Sequence, residues 1–286
     1  MTQNDPQEVQ QVKQRLLGVV EKTAAVYDRV GPPIFGTYGR KLAEIAAIPA
    51  GASVLDVATG TGAVLFPASE IAGPGARLVG IDFSAVMIGE TQRQIERLGL
   101  VNVEARVMDA EYLDFPDASF DCVLCGFAIF MFPQPGQALA EILRVLKPGG
   151  RFALSNWSPP VYQLLGRFLE LVKRYWPPGV PVPLVGSVRF ADPRGLSAML
   201  VEAGFVAVET SLHDAGFAYA SEDEYWDWLG TVYVTRTILD GLQAVAGPAA
   251  FQGLKTDFFA TLQQFKQPDA LHAPTEAVFF VARKPA

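Results

Sequence analysis

Histidine and cysteine, which supply many catalytic bases, nucleophiles and soft metal ligands, are scarce here, with two of each in 286 residues. A site rich in histidine or thiolate is thereby excluded. The two cysteines form a C-x-x-C, Cys122 and Cys125, a spacing that taken alone suggests redox or metal chemistry. They lie in Phe120-Asp-Cys-Val-Leu-Cys-Gly126, an apolar run that reads as a strand. At i and i+3 on a strand the two side chains point to opposite faces. No second Cys/His pair completes a tetrahedral zinc site, so no metal is expected. A basic excess is missing as well, with 23 Lys and Arg against 30 Asp and Glu, a net charge of −7. A nucleic-acid partner, which needs a basic footprint, is not expected. No apolar run reaches the roughly 18 residues of a spanning helix, so no membrane insertion is expected. The first residues, Met-Thr-Gln-Asn-Asp-Pro-Gln-Glu, lack the basic and apolar regions of a secretory signal. The expected location is cytoplasmic. Nothing in the chain points to an oligomeric state.

What the chain does have is apolar bulk, with 50% hydrophobic and 19% charged residues. That is enough for one large core with an elaboration. The organising stretch is Ser53-Val-Leu-Asp-Val-Ala-Thr-Gly-Thr-Gly62. An apolar strand carries one acid near its end, two glycines follow at a spacing of two, and a helical run begins at Ala63. This reads as the first strand–turn–helix of a nucleotide-binding α/β sheet. Glycine at 60 and 62 lets the chain turn sharply and lets a ligand approach the backbone.

The rest of the chain falls into place around that turn. Residues 7–30 have helical periodicity and end at Gly31-Pro-Pro33; a second helix is expected over 37–47. This preface either packs as decoration or closes over the turn. Strands are expected at 53–57, 77–82, 103–108, 120–125 and 151–156. Helices are expected at 63–72, 85–98 (Ser84 as N-cap, Gly99 as stop) and 137–146. Lys147-Pro-Gly-Gly150 reads as a turn. The alternation implies a parallel sheet with helices on both faces. Beyond it, 160–175 is amphipathic, Trp176 to Pro183 is extended, and 158–190 reads as an insertion over the ligand edge. A helix at 193–203, a strand within 205–219, a helical stretch 222–265 broken near Gly247-Pro248 and a strand 277–283 complete the chain.

In open α/β sheets the ligand sits beyond the carboxyl ends of the strands. Three acids fall there: Asp56, Asp82 and Asp109. Asp82, twenty residues after Gly62, suits a pair of ribose hydroxyls. A nicotinamide dinucleotide would prefer a third glycine, which Ala63-Val64-Leu65 does not provide, and Asp56 would sit badly beside a pyrophosphate. A sulfonium cofactor without phosphates suits an acid inside the turn.

Five segments together carry a resemblance: Val54 to Gly62, Gly80-Ile-Asp-Phe-Ser84, Met108-Asp-Ala-Glu111, Phe115-Pro-Asp-Ala-Ser-Phe-Asp121 and Arg144-Val-Leu-Lys-Pro-Gly-Gly150. In order and spacing the chain resembles class I S-adenosylmethionine-dependent methyltransferases over about residues 50–156, closest to the ubiquinone/menaquinone C-methyltransferase type. The resemblance implies a Rossmann-like, seven-stranded, mostly parallel sheet of order 3-2-1-4-5-7-6. It further implies a helical lid over 1–50 and a catalytic domain over 51–286 that includes the 158–190 cap and the 222–265 elaboration. S-adenosylmethionine is the implied cofactor and S-adenosylhomocysteine the product. Asp56 with Ala58, Gly60, Thr61 and Gly62 would bound the methionyl part, Ala58 standing where many members have glycine. Asp82 would take the ribose, with Phe83 and Met87 beside the adenosine, and Asp109 and Ala110 the adenine. Cys125 and Phe127 would lie under the cofactor. Tyr27 and Tyr38 match aromatic positions that cover it. As an alternative, Asp109 caps a helix and the two tyrosines merely pack.

Methyl transfer needs a general base only where the acceptor must lose a proton. His213, near the end of the 205–219 strand and beside Asp214, is the one candidate catalytic residue; the other reading is a hydrogen-bonded strand-end histidine. His272 reads as solvated. Phe130, Trp157, Phe217 and Tyr219, with Trp176, Phe190, Trp226 and Trp228, suggest an aromatic cavity for a hydrophobic small-molecule acceptor, methylated at carbon or oxygen. Two rivals stay open: the same fold running a non-methylating reaction such as cyclisation, and a cofactor-binding protein without turnover.

Overall fold

In the computed structural model residues 6–23, 30–183 and 190–286 are described; Tyr27 lies outside them. The helices are α1 (Pro6–Thr23), α2 (Ile34–Ile45), α3 (Leu65–Ala72), α4 (Ala85–Leu98), α5 (Pro135–Val145), α6 (Pro159–Tyr175), α7 (Pro193–Glu202), α8 (Glu222–Leu229) and α9 (Tyr233–Leu262). The strands are β1 (Ser53–Val57), β2 (Arg77–Asp82), β3 (Val103–Val107), β4 (Phe120–Gly126), β5 (Leu146–Trp157), β6 (Val206–His213) and β7 (Ala277–Arg283). They form one sheet of order β3-β2-β1-β4-β5-β7-β6. All pairings are parallel except those of β7, which runs antiparallel to both β5 and β6.

Local chemistry accounts for the boundaries. Ser84 caps α4 by accepting from the Met87 amide at 3.3 Å, and Gly99 ends it in the left-handed conformation, both as these residue types prefer. Asp192 does the same at the start of α7, accepting from the Arg194 amide at 2.9 Å. α2 begins three residues earlier than expected, because Pro33 precedes it while Gly36 and Gly39 dilute its helical signal. Gly39 is there for close approach: a Cβ would lie 2.2 Å from the Ala63 carbonyl, so α2 packs directly on the turn after β1. Lys147-Pro-Gly-Gly150 is not a free turn. It is an irregularity within β5, between the Phe120–Leu146 and Cys122–Arg151 pairs. α9 is broken at Gly247 (φ 78°) ahead of Pro248.

Two apolar clusters cover the two faces of the sheet. Val54, Leu78, Cys122 and Leu124 belong to one; Leu55, Val79, Val123 and Cys125 to the other. The C-x-x-C is therefore split across the sheet as strand geometry requires, and both cysteines are buried and free. Burial pushes both thiols up, Cys122 to about 12. Among the described residues no cluster of metal-ligating side chains exists, and no helix is long and apolar enough to cross a membrane.

The antiparallel β7 decides where the elaborations go. β4, β5 and β6 all end at the carboxyl edge of the sheet, and β7 starts there: Trp157, Ala277 and His213 are in register. The segment after β5 and everything between β6 and β7 thus rise from the same edge as the glycine turn.

Candidate active site

The turn after β1 is held rigidly to β2 and α4. The Thr59 amide donates to the Ile81 carbonyl at 2.8 Å, the Gly60 amide to Asp82 Oδ2 at 3.0 Å, and the Thr91 hydroxyl to the Gly60 carbonyl at 2.8 Å. Gly60 (φ 54°) has open space where a Cβ would stand, which leaves its backbone bare. Ala58 occupies the left-handed region too, at φ 56°. That conformation disfavours side chains and fits the resemblance's expectation of glycine at this position. Phe127, just past β4, does likewise at φ 50°, its amide donating to the Ser155 carbonyl and hydroxyl at 3.1 and 3.2 Å.

Two buried carboxylates flank this turn. Asp82 accepts from the Gly60 and Ser84 amides, the latter at 2.9 Å to Oδ1, and each oxygen keeps a further lone pair. Burial raises its pKa to about 6 against the pull of those amides. Asp56 accepts from the Thr59 hydroxyl at 2.6 Å through Oδ2, while its buried Oδ1 has no hydrogen-bond partner. Burial, with a contribution from the charge of Asp82, raises its pKa to about 7. A cation or a pair of hydroxyl donors would relieve both groups.

The loop after β3 is tied to α1. Lys13 Nζ reaches Asp109 Oδ2 at 2.6 Å and also pairs with Glu111. Burial disfavours the ammonium, but its bonds to Asp109 and Glu111 prevail and raise its pKa. Glu111, almost fully buried, also accepts from the Gln134 amide at 2.6 Å. Asp109 Oδ1 accepts from the Glu111 amide at 2.9 Å, so it caps its own loop as well as facing the site.

A single cavity of about 430 Å³ joins these groups to an aromatic chamber. At one end its wall is Ala58, Gly60, Asp82, Phe83, Met87, Asp109 and Ala110. At the other it is Phe130, Trp157, Tyr162, Leu164, Phe168, Tyr225, Trp228 and Phe258, with Phe127 between the two ends, while Tyr233 packs beside Met87 with Leu16 and Val20 of α1. Ten of the residues expected from sequence therefore stand on one wall. Asp56, Thr61, Gly62 and Cys125 lie just behind it rather than on it.

Four further expected residues stand well away from this wall. Tyr38 is fully buried in the core, its ring against Phe127 and Phe217 and its hydroxyl accepting from the Ala215 amide at 3.2 Å; burial lifts it to about 12. Phe217 packs on Tyr38, and Tyr219 is sealed against Tyr225 and Trp228. His213 lies two strands sideways from Trp157 in register, roughly 10 Å at normal strand spacing. It packs against the Tyr38 and Phe279 rings. Of the other aromatics, Trp228 is on the wall, whereas Trp176, Phe190 and Trp226 are core. Lys13, Tyr162 and Tyr233 escaped notice. Lys13 is one of several polar residues on α1, and only the fold brings it to Asp109.

Comparison with known proteins accords with this geometry. A family model described as a methyltransferase domain matches residues 54–150. Nocamycin O-methyltransferase of Saccharothrix syringae is 32% identical over 223 residues, 73% of this chain and 80% of that one. The chain belongs to the class I S-adenosylmethionine-dependent methyltransferases. The ubiquinone/menaquinone biosynthesis C-methyltransferase of Pseudomonas putida is likewise 32% identical to this methyltransferase, over 70% of the chain and 84% of the relative. The solved structure of a methyltransferase from Bacillus halodurans C-125 shares its fold, with a TM-score of 0.57 and 24% identity over 87% of this chain and all of that one.

Proposed function

We propose that the methyltransferase binds S-adenosylmethionine at the acidic end of the cavity and methylates a hydrophobic, aromatic small molecule held at the other end. The observation that carries this reading is the continuity of the cavity: an acid-lined end and an aromatic chamber share one volume of about 430 Å³. The open backbone at Gly60 and the remaining accepting capacity of Asp82 fit a cofactor with two ribose hydroxyls, and the negative charge of Asp56 just behind the wall suits its ammonium and sulfonium. When bound, the cofactor would supply an electrophilic methyl group, leaving its bonding electron pair on sulfur while an electron pair of the acceptor forms the new bond. The chain's own residues do the rest. Asp82 would orient the ribose, Phe83 and Met87 would flank the adenosine, and Asp109 would accept from the adenine amine. Phe127, Trp157 and Trp228 hold the acceptor and exclude water, so that rate comes from positioning.

The relatives methylate at carbon in one instance and oxygen in the other, by their names, and both fit a chamber of this kind. The test is calorimetry with S-adenosylhomocysteine, followed by turnover against a library of aromatic and isoprenoid acceptors with mass detection. Micromolar binding of S-adenosylhomocysteine, lost in Asp82→Ala, and methylated product are expected. Binding of NAD instead would overturn the cofactor assignment. A rearranged or cyclised product with no S-adenosylhomocysteine formed would overturn methyl transfer.

A further inference from the structure

The charged residues that line the cavity, Lys13, Asp82, Asp109 and Glu111, belong to α1, the end of β2 and the loop after β3. Among the described residues the aromatic end has none. Two tyrosines, Tyr162 and Tyr225, stand in its wall. Burial alone raises the pKa of Tyr225, and among the described residues no hydrogen bond fixes the direction of its proton. Tyr162 is different. Its hydroxyl donates to Asn156 Oδ1 at 3.0 Å, and the sense of that bond is forced.

Asn156 is next to last in β5, 1% exposed and behind the cavity wall. Its Nδ2 donates to the Phe190 carbonyl at 2.9 Å. A backbone carbonyl can only accept, so the amide nitrogen faces Phe190 and the amide oxygen faces Tyr162. That oxygen has no second donor among the described residues. If the tyrosine proton turned away, a buried acceptor would stand unpaired, which is costly. The local fold holds the pair together. Ser158 follows β5 directly, and the Tyr162 amide donates to its carbonyl at 3.2 Å, so the first turn of α6 carries the phenol back to Asn156. Burial raises the pKa of that phenol, and it keeps its proton at neutral pH. With the proton committed to Asn156, the Tyr162 oxygen has lone pairs but no hydrogen to offer a molecule in the chamber.

We infer that Tyr162, positioned by Asn156, selects an acceptor that donates a hydrogen bond to it: a molecule with a neutral hydroxyl or N–H on an otherwise apolar frame. An ether, a carbonyl or an ionised oxygen at that place would meet lone pairs. The recognised group keeps its hydrogen while bound, so it is distinct from an atom that ionises to react. The inference rests on the methyltransferase reading of the cavity. Its test is calorimetry at pH 7 on the full chain saturated with S-adenosylhomocysteine, titrated with 2-naphthol, which is neutral there, and with 2-methoxynaphthalene, which cannot donate. Tyr162→Phe should weaken 2-naphthol by about fivefold, the worth of one neutral hydrogen bond, and change the ether by less than about twofold. Asn156→Leu frees the tyrosine proton, so the ether should gain about threefold while 2-naphthol changes by less than about twofold. An asparagine that only supports the fold would weaken both probes when replaced. Equal losses for the two probes in Tyr162→Phe, a larger loss for the ether, no binding of 2-naphthol to the wild type, or no gain for the ether in a folded Asn156→Leu would overturn the inference. Tyr162→Phe, which removes a single oxygen, decides the matter if Asn156→Leu does not fold. Failure of the wild type to bind S-adenosylhomocysteine is a separate result, and it would remove the cofactor reading itself.

Discussion

At Ala58 the backbone takes a conformation, φ 56°, that costs a non-glycine residue about 1–2 kcal/mol. Replacing it by glycine removes that strain but gives back about 0.4–1 kcal/mol through the looser unfolded chain. Ala58→Gly should raise the melting temperature slightly, and Ala58→Val, branched at the strained carbon, should lower it by several degrees; differential scanning calorimetry reads both. The same turn makes a pH prediction. Asp56 and Asp82 have folded pKa values raised to about 7 and about 6, against about 3.9 in an unfolded chain. Between pH 4 and 7 the folded state then holds more protons than the unfolded state, so stability falls as pH rises. The ligand-free protein should lose stability on the order of 5 kcal/mol across that window. Asp56→Asn should flatten the profile. Binding of S-adenosylhomocysteine, whose ammonium and ribose favour the ionised acids, should strengthen with pH over the same range and release protons. Calorimetry in buffers of different ionisation enthalpy measures that release; no proton release would mean that the two acids are already charged.

The two helices that precede β1 do different things. α2 is a core element, with Ile34, Tyr38 and Leu42 fully buried and Gly39 against the turn. α1 lines the cavity through Lys13, Leu16 and Val20 and is anchored by the Lys13 pairs to Asp109 and Glu111. We propose that α1 alone is the lid. Lys13→Met keeps the aliphatic stem and deletes the charge, which leaves Glu111 buried with only its bonds to Gln134. Hydrogen exchange of α1 should then accelerate at least about tenfold, and S-adenosylhomocysteine should dissociate faster, as loss of a half-buried ion pair worth about 1–3 kcal/mol requires. Unchanged exchange would show that apolar packing of Leu16 and Val20 holds the lid. This division was not legible in the sequence, where both helices show the same periodicity. What was legible was local: Ser84 and Gly99 at the ends of α4, the alternation that splits Cys122 from Cys125, and the acid–glycine turn itself. Those features depend on residues close in the chain. The chamber does not. Trp157, Trp228 and Phe258 line one cavity although they are far apart in the chain, and no spacing in the sequence separates them from core aromatics such as Tyr219 or Trp226.

Across the whole molecule the sheet sorts charge. Acids gather at the ends of β1, β2 and β3, aromatic side chains at the end of β5 and on α6, α8 and α9, and the cavity runs from one to the other. Because β6 is the outermost strand, a residue at its end is separated from the chamber by β7. His213 is therefore in the right layer of the fold but displaced along the sheet, against Tyr38 and Phe279. No other histidine offers itself on the wall, since His272 lies beside Asp269 in the segment before β7. We propose that histidine takes no part in proton transfer, so that the pH dependence of kcat should follow the acceptor's own ionisation rather than an enzyme group near 6.5. His213→Gln should keep kcat within about threefold of wild type, where removing a true general base costs on the order of 100-fold or more. It should also leave the midpoint of the pH profile in place, whereas exchanging the acceptor for one of different acidity should move that midpoint by the same interval. A profile that stays fixed as the acceptor changes, or that collapses in His213→Gln, would show that β6 reaches the chemistry through a rearrangement of the cover.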